Sequence, residues 1–233
     1  WSSDVCSSDL KKIENCRKRA RTLLGEMTLV EKIGQMNQVN GGGHDLPDQV
    51  RAGQVGSVLN EVDVHVVNEL QRLAVKESRL GIPLLIGRDV IHGFKTIFPI
   101  PLGQAASWNP ELVEAGAAVA AREAACSGVN WTFAPMIDIT RDPRWGRIAE
   151  SLGEDPLLCS ELGVAMMRGF QGSNLAEKGR IAACAKHFAG YGAGEAGMDY
   201  ATVNLPENEL RNVYLPPFAA LADAGVASFM TAF

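Results

Sequence analysis

Short apolar runs alternate along the chain with stretches in which apolar residues recur at three- and four-residue steps. The runs indicate buried strands, and the three- and four-residue recurrence indicates helices. Their alternation predicts βα units around a parallel sheet. Five strands are expected, at 55–59, 83–86, 129–139, 181–188 and 227–233.

Helix start signals lie between these strands. Thr28 and Glu31 match the Thr-x-x-Glu capping box that opens a helix. The apolar residues on one face of this helix are Val30, Ile33 and Met36. Two later helices are expected to begin at Asn109-Pro110 and Asp155-Pro156, where a capping side chain precedes a proline in the first turn. Trp108 is expected to pack as a hydrophobic staple ahead of the Asn109 cap.

Five strands joined by helices, without an internal repeat, predict an α/β fold. They suit either an open doubly wound sheet or part of an eight-stranded barrel. A complete barrel takes about 250 residues, so five strands make up roughly two thirds of one. Residues 1–10 (WSSDVCSSDL) resemble nothing that follows in composition and are expected to be a non-native scar. Residues 227–233 end without a turn or cap, so we expect a fragment cut inside a domain.

Composition narrows the class of protein. The chain has 233 residues, of which 46% are hydrophobic, and its five cysteines show no CxxC spacing. These values exclude a disordered chain, a collagen-like chain and a disulfide scaffold. A net charge of -5 without a basic run argues against a nucleic-acid or anionic-membrane partner. No apolar run approaches the roughly 18 residues of a membrane-spanning helix.

Several kinds of catalytic or cofactor site are disfavoured. The glycines at 41–43 lack the GK[ST] sequence of a phosphate loop. The histidines show no HExxH spacing, so no metal site is expected, and no GxSxG nucleophile elbow is present. Cys184 lies among small apolar residues that would keep its thiol neutral. The sequence therefore indicates no cofactor, no metal and no nucleophilic serine or cysteine.

Polar residues cluster at the predicted carboxyl ends of the strands, where ligands bind in parallel α/β folds. The clusters are Arg88-Asp89 with His92-Gly93, Asp138 with 142–147, Lys186-His187, and 230–233. A carboxylate can accept from two vicinal hydroxyls, Lys, Arg and His can donate, and aromatic rings stack on C–H faces. This set of residues suits a sugar ring.

Each of these residues also has a structural interpretation. Asp89 could cap a following helix or pair with Arg88, and His187 is equally suited to a structural hydrogen bond and to ligand contact. Arg144 and Arg147 could join an ion-pair network, for which Arg144 is preferred. The acids available to these two arginines are Glu150, Glu154 and Asp155. Trp145 is expected to be a packing residue.

Six motifs in order resemble a known family. They are GRDVIHG, TIFPIPLGQAASWNPELV, FAPMIDITRDPRWGRIAESLGEDP, KHFAGYGA, LPENELRNVYLPPF and FMTAF. As a set they resemble the N-terminal domain of glycoside hydrolase family 3, in the bacterial periplasmic-type β-glucosidase branch. The resemblance runs from about Met27 to Phe233, and six motifs in the family's order make it specific.

The resemblance implies a fold and a set of site residues. The fold is a (β/α)8 TIM-type barrel, here incomplete, that holds a non-reducing glycosyl unit in the -1 subsite. Residues 11–233 would be the N-terminal part of this domain, cut before the strand that carries the nucleophile. By position in the motifs, the implied substrate-binding residues are Asp89 as acceptor from the outer hydroxyls, Arg147, Lys186 and His187 as donors, Met230 in the lining and Phe233 as an aromatic.

The family's reaction is hydrolysis with retention, which uses two carboxyl groups about 5 to 5.5 Å apart. In the family the nucleophile is an Asp at the end of the next strand, and the acid/base comes from a following domain. Both would lie beyond Phe233, in C-terminal domains missing here. The resemblance therefore implies a β-glucosidase in the full-length protein and negligible hydrolysis by these 233 residues.

The substrate implied is a β-linked gluco-oligosaccharide or an aryl glucoside. The alternatives are a β-xylosidase or another exo-β-glycosidase of the family, and a catalytically silent sugar-binding module. An unrelated phosphate-handling barrel ranks last. Hexosaminidase is disfavoured, because 188–193 lacks the Asp-Ser-His run of that branch. Met198 stands where related enzymes often have Arg, and only the family suggests a periplasmic or secreted location.

Overall fold

The structure, a computed structural model, describes residues 3–233, with side chains from residue 14 onward. The expected scar at 1–10 has no described side chains, and its first two residues lie outside the described residues. The chain forms two compact units. The first contains the residues up to Leu59 and His65–Leu85, and the second contains Asn60–Val64 and Ile86–Phe233.

Helices and strands alternate along both units. The helices are α1 Ser3–Glu26, α2 Leu29–Met36, α3 Leu46–Arg51, α4 Val64–Lys76, α5 Pro101–Ala105, α6 Pro110–Cys126, α7 Pro156–Gln171, α8 Glu207–Glu209 and α9 Pro216–Asp223. The strands are β1 Gln38–Asn40, β2 Ser57–Leu59, β3 Leu85–Arg88, β4 Trp131–Thr132, β5 Cys184–Phe188 and β6 Ser228–Thr231. No helix among the described residues has both the length and the apolar character needed to cross a bilayer.

In the first unit, β1 pairs with β2 in parallel, with Val39 opposite Val58. The capping box expected at the start of α2 is confirmed. Glu31 N–H donates to Thr28 Oγ1 at 3.2 Å, and Thr28 N–H donates to Glu31 Oε2 at 2.8 Å. Arg79 Nε donates to Glu31 Oε1 at 2.9 Å, so one carboxylate both caps α2 and binds a distant arginine.

The buried side of α2 is not its apolar side. Its apolar residues are exposed, namely Leu29, Val30, Ile33 and Met36. The buried residues are Glu31 and Gly34. A side chain on Gly34 would collide with the carbonyl oxygen of Gly53, so the absence of a Cβ lets the helix approach that turn.

The second unit carries four strands that run parallel to their neighbours. In β3 and β4, Arg88 lies opposite Thr132, and a parallel bridge joins Trp131 to Ala182 just before β5. In β5 and β6, Lys186 lies opposite Met230. The largest fully buried side chains of this unit are Phe170, Ile86, Met136, Ile137, Ile139, Leu152, Leu162, Met166, Met167, Ile181 and Leu221. The predicted parallel α/β arrangement is therefore confirmed.

The extent of the strands differs from the expectation. The stretch 129–139 keeps only β4 and an isolated bridge between Met136 and Lys186, because Pro135 has no N–H to donate to a ladder. It still accepts from the next strand, since Lys186 N–H donates to the Pro135 carbonyl at 3.1 Å. A sixth strand, β1, was missed because its sequence, QVN, contains no apolar run.

The helix caps follow the sequence, whereas one tryptophan does not. Asn109 accepts from Leu112 N–H at 3.0 Å, and Asp155 accepts from Leu158 N–H at 2.7 Å. The expected packing of Trp108 is wrong. Its backbone has a positive φ of 52°, and its side chain is 74% exposed, so it makes no hydrophobic staple.

Candidate functional site

An ion pair joins the ends of two strands of the second unit. Lys186, on β5, donates from Nζ to Oδ1 of Asp89, which follows β3, at 2.9 Å. The Lys186 side chain is 4% exposed and that of Asp89 is 54% exposed. A buried ammonium needs a partner to offset its lost hydration, and Asp89 supplies one. The carboxylate still faces solvent, so it can bind a ligand as well.

Both structural interpretations of Asp89 are wrong. Arg88 instead donates to Asn60 Oδ1 at 2.8 Å. In the described chain, no helix begins between Asp89 and Pro101, so Asp89 caps none. The fold brings Asp89 to Lys186 because parallel strands expose their carboxyl ends at one edge. His92, predicted in the same cluster as Asp89, contacts the Phe98 carbonyl through its Nδ1 at 3.0 Å.

A second ion pair lies beside the first. Arg147 and Glu150 sit in a short 3-10 helix, Gly146–Glu150, and make two hydrogen bonds, from Nε at 2.7 Å and from one terminal nitrogen at 2.8 Å. Lys186 Nζ lies 3.9 Å from Glu150. Burial would raise the pKa of Glu150, but the Arg147 hydrogen bonds and the nearby positive charges lower it overall. Glu150 therefore stays ionised between two cations.

The expected ion-pair network around the two arginines is confirmed in part. Arg147 pairs with Glu150, one of the acids that the sequence offered. Arg144, the arginine preferred for these acids, pairs instead with Asp142, which was not among them, at 2.6 Å. Both arginines thus have carboxylate partners, and only Arg147 lies near Lys186.

His187 is held by a buried aspartate. Asp138 Oδ2 accepts the backbone N–H of His187 at 3.0 Å and lies 2.8 Å from its Nδ1. Asp138 is 2% exposed and His187 is 1% exposed. Burial raises the pKa of Asp138, and the contacts with His187 and Arg147 offset part of that rise. The structural hydrogen bond considered for His187 is therefore present.

An aromatic cluster surrounds this pair. The ring centroids of Tyr191 and His187 are 5.1 Å apart, and Arg147 lies over the Tyr191 ring at 5.5 Å. Phe233 lies 5.6 Å from the His187 ring and 5.1 Å from the Tyr191 ring. Met230 is fixed opposite Lys186 in the β5–β6 register. The structure therefore brings five of the six expected residues to one cluster and puts Met230 on the adjoining strand.

Asp199 ties a loop to this cluster. It accepts from the Tyr191 hydroxyl at 2.5 Å and from Trp145 Nε1 at 2.9 Å. These two hydrogen bonds lower the pKa of Asp199, whereas burial and Asp199 raise that of Tyr191 to about 12. Two neutral donors, the Tyr191 hydroxyl and Trp145 Nε1, therefore hold Asp199 in this loop. The expected packing of Trp145 is confirmed, since it is 2% exposed.

Sequence reasoning offered Glu150 as a partner of Arg147 but missed the roles of Tyr191 and Asp199 in this cluster. The position of Glu150, three residues after Arg147, suits an ion pair on one helical face. Tyr191 and Asp199 gave no local signal, because tertiary packing alone brings them to Trp145. Among the described side chains, no group of three or more His, Cys, Asp or Glu is arranged to hold a metal ion.

The chain matches one protein-family model and is similar to several curated proteins. Residues 28–233 match the family model described as the glycosyl hydrolase family 3 N terminal domain. The chain is 42% identical over 214 residues to the periplasmic β-glucosidase of Salmonella typhimurium, covering 90% of the chain and 28% of that protein. It is 35% identical over 221 residues to a β-xylosidase of Formosa agariphila, covering 93% and 27%.

Solved structures agree with these relatives. The β-glucosidase from Listeria innocua in complex with glucose superposes with a TM-score of 0.84 at 43% identity. The match covers 93% of this chain and 33% of the Listeria chain. The same enzyme, as a D270A mutant, was also solved with laminaribiose. The chain thus spans about a third of the length of the proteins that it matches.

Proposed function

Because the chain belongs to glycosyl hydrolase family 3, we propose that it supplies the -1 subsite of an enzyme that hydrolyses terminal, non-reducing β-D-glucosyl residues with retention. The substrate would be a β-linked gluco-oligosaccharide or an aryl β-glucoside. The Listeria relative solved with glucose and laminaribiose supports this substrate class.

The Asp89–Lys186 pair is the observation that carries the proposal. Its ammonium is buried and fixed, while its carboxylate stays half exposed. Asp89 Oδ2 has no hydrogen-bond partner among the described residues, so it remains free to accept from a sugar hydroxyl. Of two vicinal sugar hydroxyls, one can donate a hydrogen bond to the carboxylate, and the other can accept one from the neighbouring cation. Charge-assisted hydrogen bonds of this kind favour a polyhydroxylated ligand over an apolar one.

The neighbouring residues suit the other parts of a sugar ring. Arg147 stays charged, since its hydrogen bonds with Glu150 raise its pKa further. His187 contributes one ring nitrogen, because the other is engaged by Asp138. Phe233 is exposed, and its ring can stack on the C–H face of a sugar. Met230, in register with Lys186, would line the same subsite.

We further propose that this chain alone does not hydrolyse its ligand. Retaining hydrolysis needs one carboxylate free to attack and one carboxyl group able to protonate the leaving oxygen. Among the site acids of the described residues, Glu150 is bound to Arg147, and Asp89, beside Lys186, is assigned to the sugar hydroxyls. Asp138 has a raised pKa but is buried against His187, with almost no surface open to a ligand. Both reacting carboxyl groups would therefore lie in sequence beyond Phe233.

The fold of the whole domain is proposed to be a (β/α)8 barrel, of which residues 11–233 form the N-terminal part. In the second unit, an apolar groove beside β6 is lined by Phe188, Leu215, Phe218, Ala219, Ala222 and Phe229. Phe188 and Phe229 are about half exposed there. A following strand and helix of the barrel would cover both side chains. The greater length of the matched relatives supports further βα units and C-terminal domains.

The names of two relatives bear on the location of the protein and on its sugar specificity. The Salmonella relative is a periplasmic protein by name, and we propose a periplasmic or secreted location on that ground. The β-xylosidase of Formosa agariphila supports a second candidate, hydrolysis of β-xylosides by the same site. The two sugars differ at C6, where a glucosyl unit carries a hydroxymethyl group.

The experiment is a comparison of two aryl glycosides with two proteins. The full-length protein and the 233-residue chain are each assayed with p-nitrophenyl β-glucoside and p-nitrophenyl β-xyloside. Faster turnover of the glucoside by the full-length protein supports the proposal, and faster turnover of the xyloside supports the alternative. A full-length protein that binds glucose but hydrolyses neither substrate contradicts both activities and leaves a silent sugar-binding module or another exo-β-glycosidase of the family.

A further inference from the structure

Asp138 is buried with one carboxylate oxygen engaged twice and the other not at all. Oδ2 accepts the backbone N–H of His187 at 3.0 Å and contacts its Nδ1 at 2.8 Å. Oδ1 is buried and has no hydrogen-bond partner among the described residues. Both contacts of the carboxylate are therefore with His187.

The backbone fixes Asp138 against β5. Ser151 Oγ donates to the Asp138 carbonyl at 2.9 Å, which holds the residue from one side. Ile137 N–H donates to the Lys186 carbonyl at 2.9 Å, which joins the preceding residue to the strand that carries His187. The carboxylate therefore has a defined position relative to the imidazole ring.

Stability alone does not account for this aspartate. A buried carboxylate with an unpaired oxygen is less favourable than an apolar side chain of similar shape. Most buried polar groups in folded proteins are satisfied, and exceptions are expected where function requires them. Because both hydrogen bonds of the Asp138 carboxylate go to His187, we expect Asp138 to act through His187.

The contact decides which nitrogen of His187 is free. When Nδ1–H donates to the carboxylate, a neutral imidazole carries its lone pair on Nε2. Nε2 has no hydrogen-bond partner among the described residues, and its ring packs against those of Tyr191 and Phe233. Nε2 is then an acceptor, whereas the ammonium of Lys186, one residue earlier, can only donate. A sugar hydroxyl can accept from one group and donate to the other.

We propose that Asp138 is a positioning residue that holds His187 in its Nδ1–H form, so that Nε2 accepts a hydrogen bond from a hydroxyl of the bound sugar. The identity of the ligand rests on the proposed function, whereas the form of the imidazole does not. The proposal gives His187 an acceptor role in place of the donor role that the family resemblance implies.

The first test reads the imidazole directly in the sugar-free chain. Nitrogen-15 NMR near neutral pH reports which ring nitrogen of each histidine carries a proton. The signals of His187 are identified by their loss in His187→Gln. The expected result is a protonated Nδ1 and an unprotonated Nε2. A proton on Nε2 without one on Nδ1 would overturn the proposal.

The second test replaces Asp138 in two ways. Asp138→Asn keeps an oxygen acceptor, so the Nδ1–H form should persist and glucose affinity should change by no more than about threefold. Asp138→Leu removes the acceptor, so His187 should lose its fixed form and glucose affinity should fall roughly tenfold. Asp48→Asn, in an exposed pair with Arg51, is the matched control and should change neither readout.

Two further outcomes for the Asp138→Leu variant also decide the proposal. If Asp138→Leu does not fold, as judged by circular dichroism, the Nδ1–H form in Asp138→Asn supports the proposal and its loss there overturns it. If Asp138→Leu folds and keeps both the Nδ1–H form and the wild-type glucose affinity, the proposal is overturned.

The same measurements separate this proposal from the proposed function. A wild-type chain with the Nδ1–H form but no affinity for glucose would overturn the function proposed for the site, and with it the sugar contact. A wild-type chain that binds glucose with His187 in the Nε2–H form would overturn the role of Asp138 alone.

Discussion

Lys186 Nζ lies 2.9 Å from Asp89 Oδ1, although 97 residues separate them in sequence. The pair joins the end of β5 to the residue after β3. Because the ammonium is buried and the carboxylate is half exposed, the contact combines a fixed cation with an acceptor that reaches solvent. A ligand that binds Asp89 therefore also lies close to the positive charge of Lys186.

Removal of the Asp89 charge should weaken sugar binding. Asp89→Asn is expected to lower the affinity for glucose by roughly tenfold to a hundredfold, because a hydrogen bond to a charged group contributes about 1.5–3 kcal/mol. Titration calorimetry of the wild type and the variant measures the change. Asp48→Asn, in an exposed pair with Arg51, is the control and should bind glucose as the wild type does. Equal affinity in Asp89→Asn would remove Asp89 from the site.

The close approach of α2 to the Gly53 turn should make Gly34 intolerant of a side chain. Gly34→Ala is expected to destabilise the fold by about 1–3 kcal/mol, because its Cβ meets a backbone carbonyl that cannot rotate away. For a chain of this size, each kcal/mol lowers the melting temperature by roughly 2–4 °C.

Gly25→Ala is the matched control for this substitution, since a Cβ at Gly25 meets nothing within 4 Å. It should leave the melting temperature unchanged or slightly raised, because Ala favours helix over Gly. Thermal melts of both variants decide the point. Similar melting temperatures for Gly34→Ala and Gly25→Ala would contradict the close approach.

Glu31 should make stability depend on pH in acid. The hydrogen bond from Arg79, with those from Thr28, lowers its pKa from 4.5 to about 2. The folded state therefore binds fewer protons than the unfolded state between these values. The contribution of Glu31 is fully present above pH 4.5 and is lost as the pH falls toward about 2.

Glu31→Gln tests this linkage, because Gln can still serve in a capping box but carries no charge. Its unfolding free energy is expected to fall less steeply than that of the wild type as the pH drops below 4.5. Denaturant titrations at several pH values measure both slopes. Parallel slopes would show that Glu31 does not titrate with folding.

Local signals in the sequence predicted local structure well. The caps at Thr28, Asn109 and Asp155 depend on residues within three positions, and all three are present. The strand β1 was not predictable in this way, because two of its three residues are polar and its partner β2 determines its conformation. The exposure of the apolar face of α2 depends on the packing of Gly34, which periodicity does not report.

The candidate site was predictable only in its parts. Asp89, Arg147, Lys186 and His187 were proposed from their positions after strands and from family motifs. Their partners were not, since Asp89 contacts Lys186 only through the parallel arrangement of the strands. The Asp138–His187 contact likewise joins residues 49 apart, so spacing gave no sign of it.

The central claim is that this chain binds the glucosyl unit while the reacting carboxyl groups lie beyond Phe233. The most direct test is the rate of p-nitrophenyl β-glucoside hydrolysis, measured side by side for the full-length protein and for the 233-residue chain. Turnover by the full-length protein and none by the chain is the expected result. Turnover by the chain alone would contradict the claim, since a reacting pair of carboxyl groups would then lie within these 233 residues.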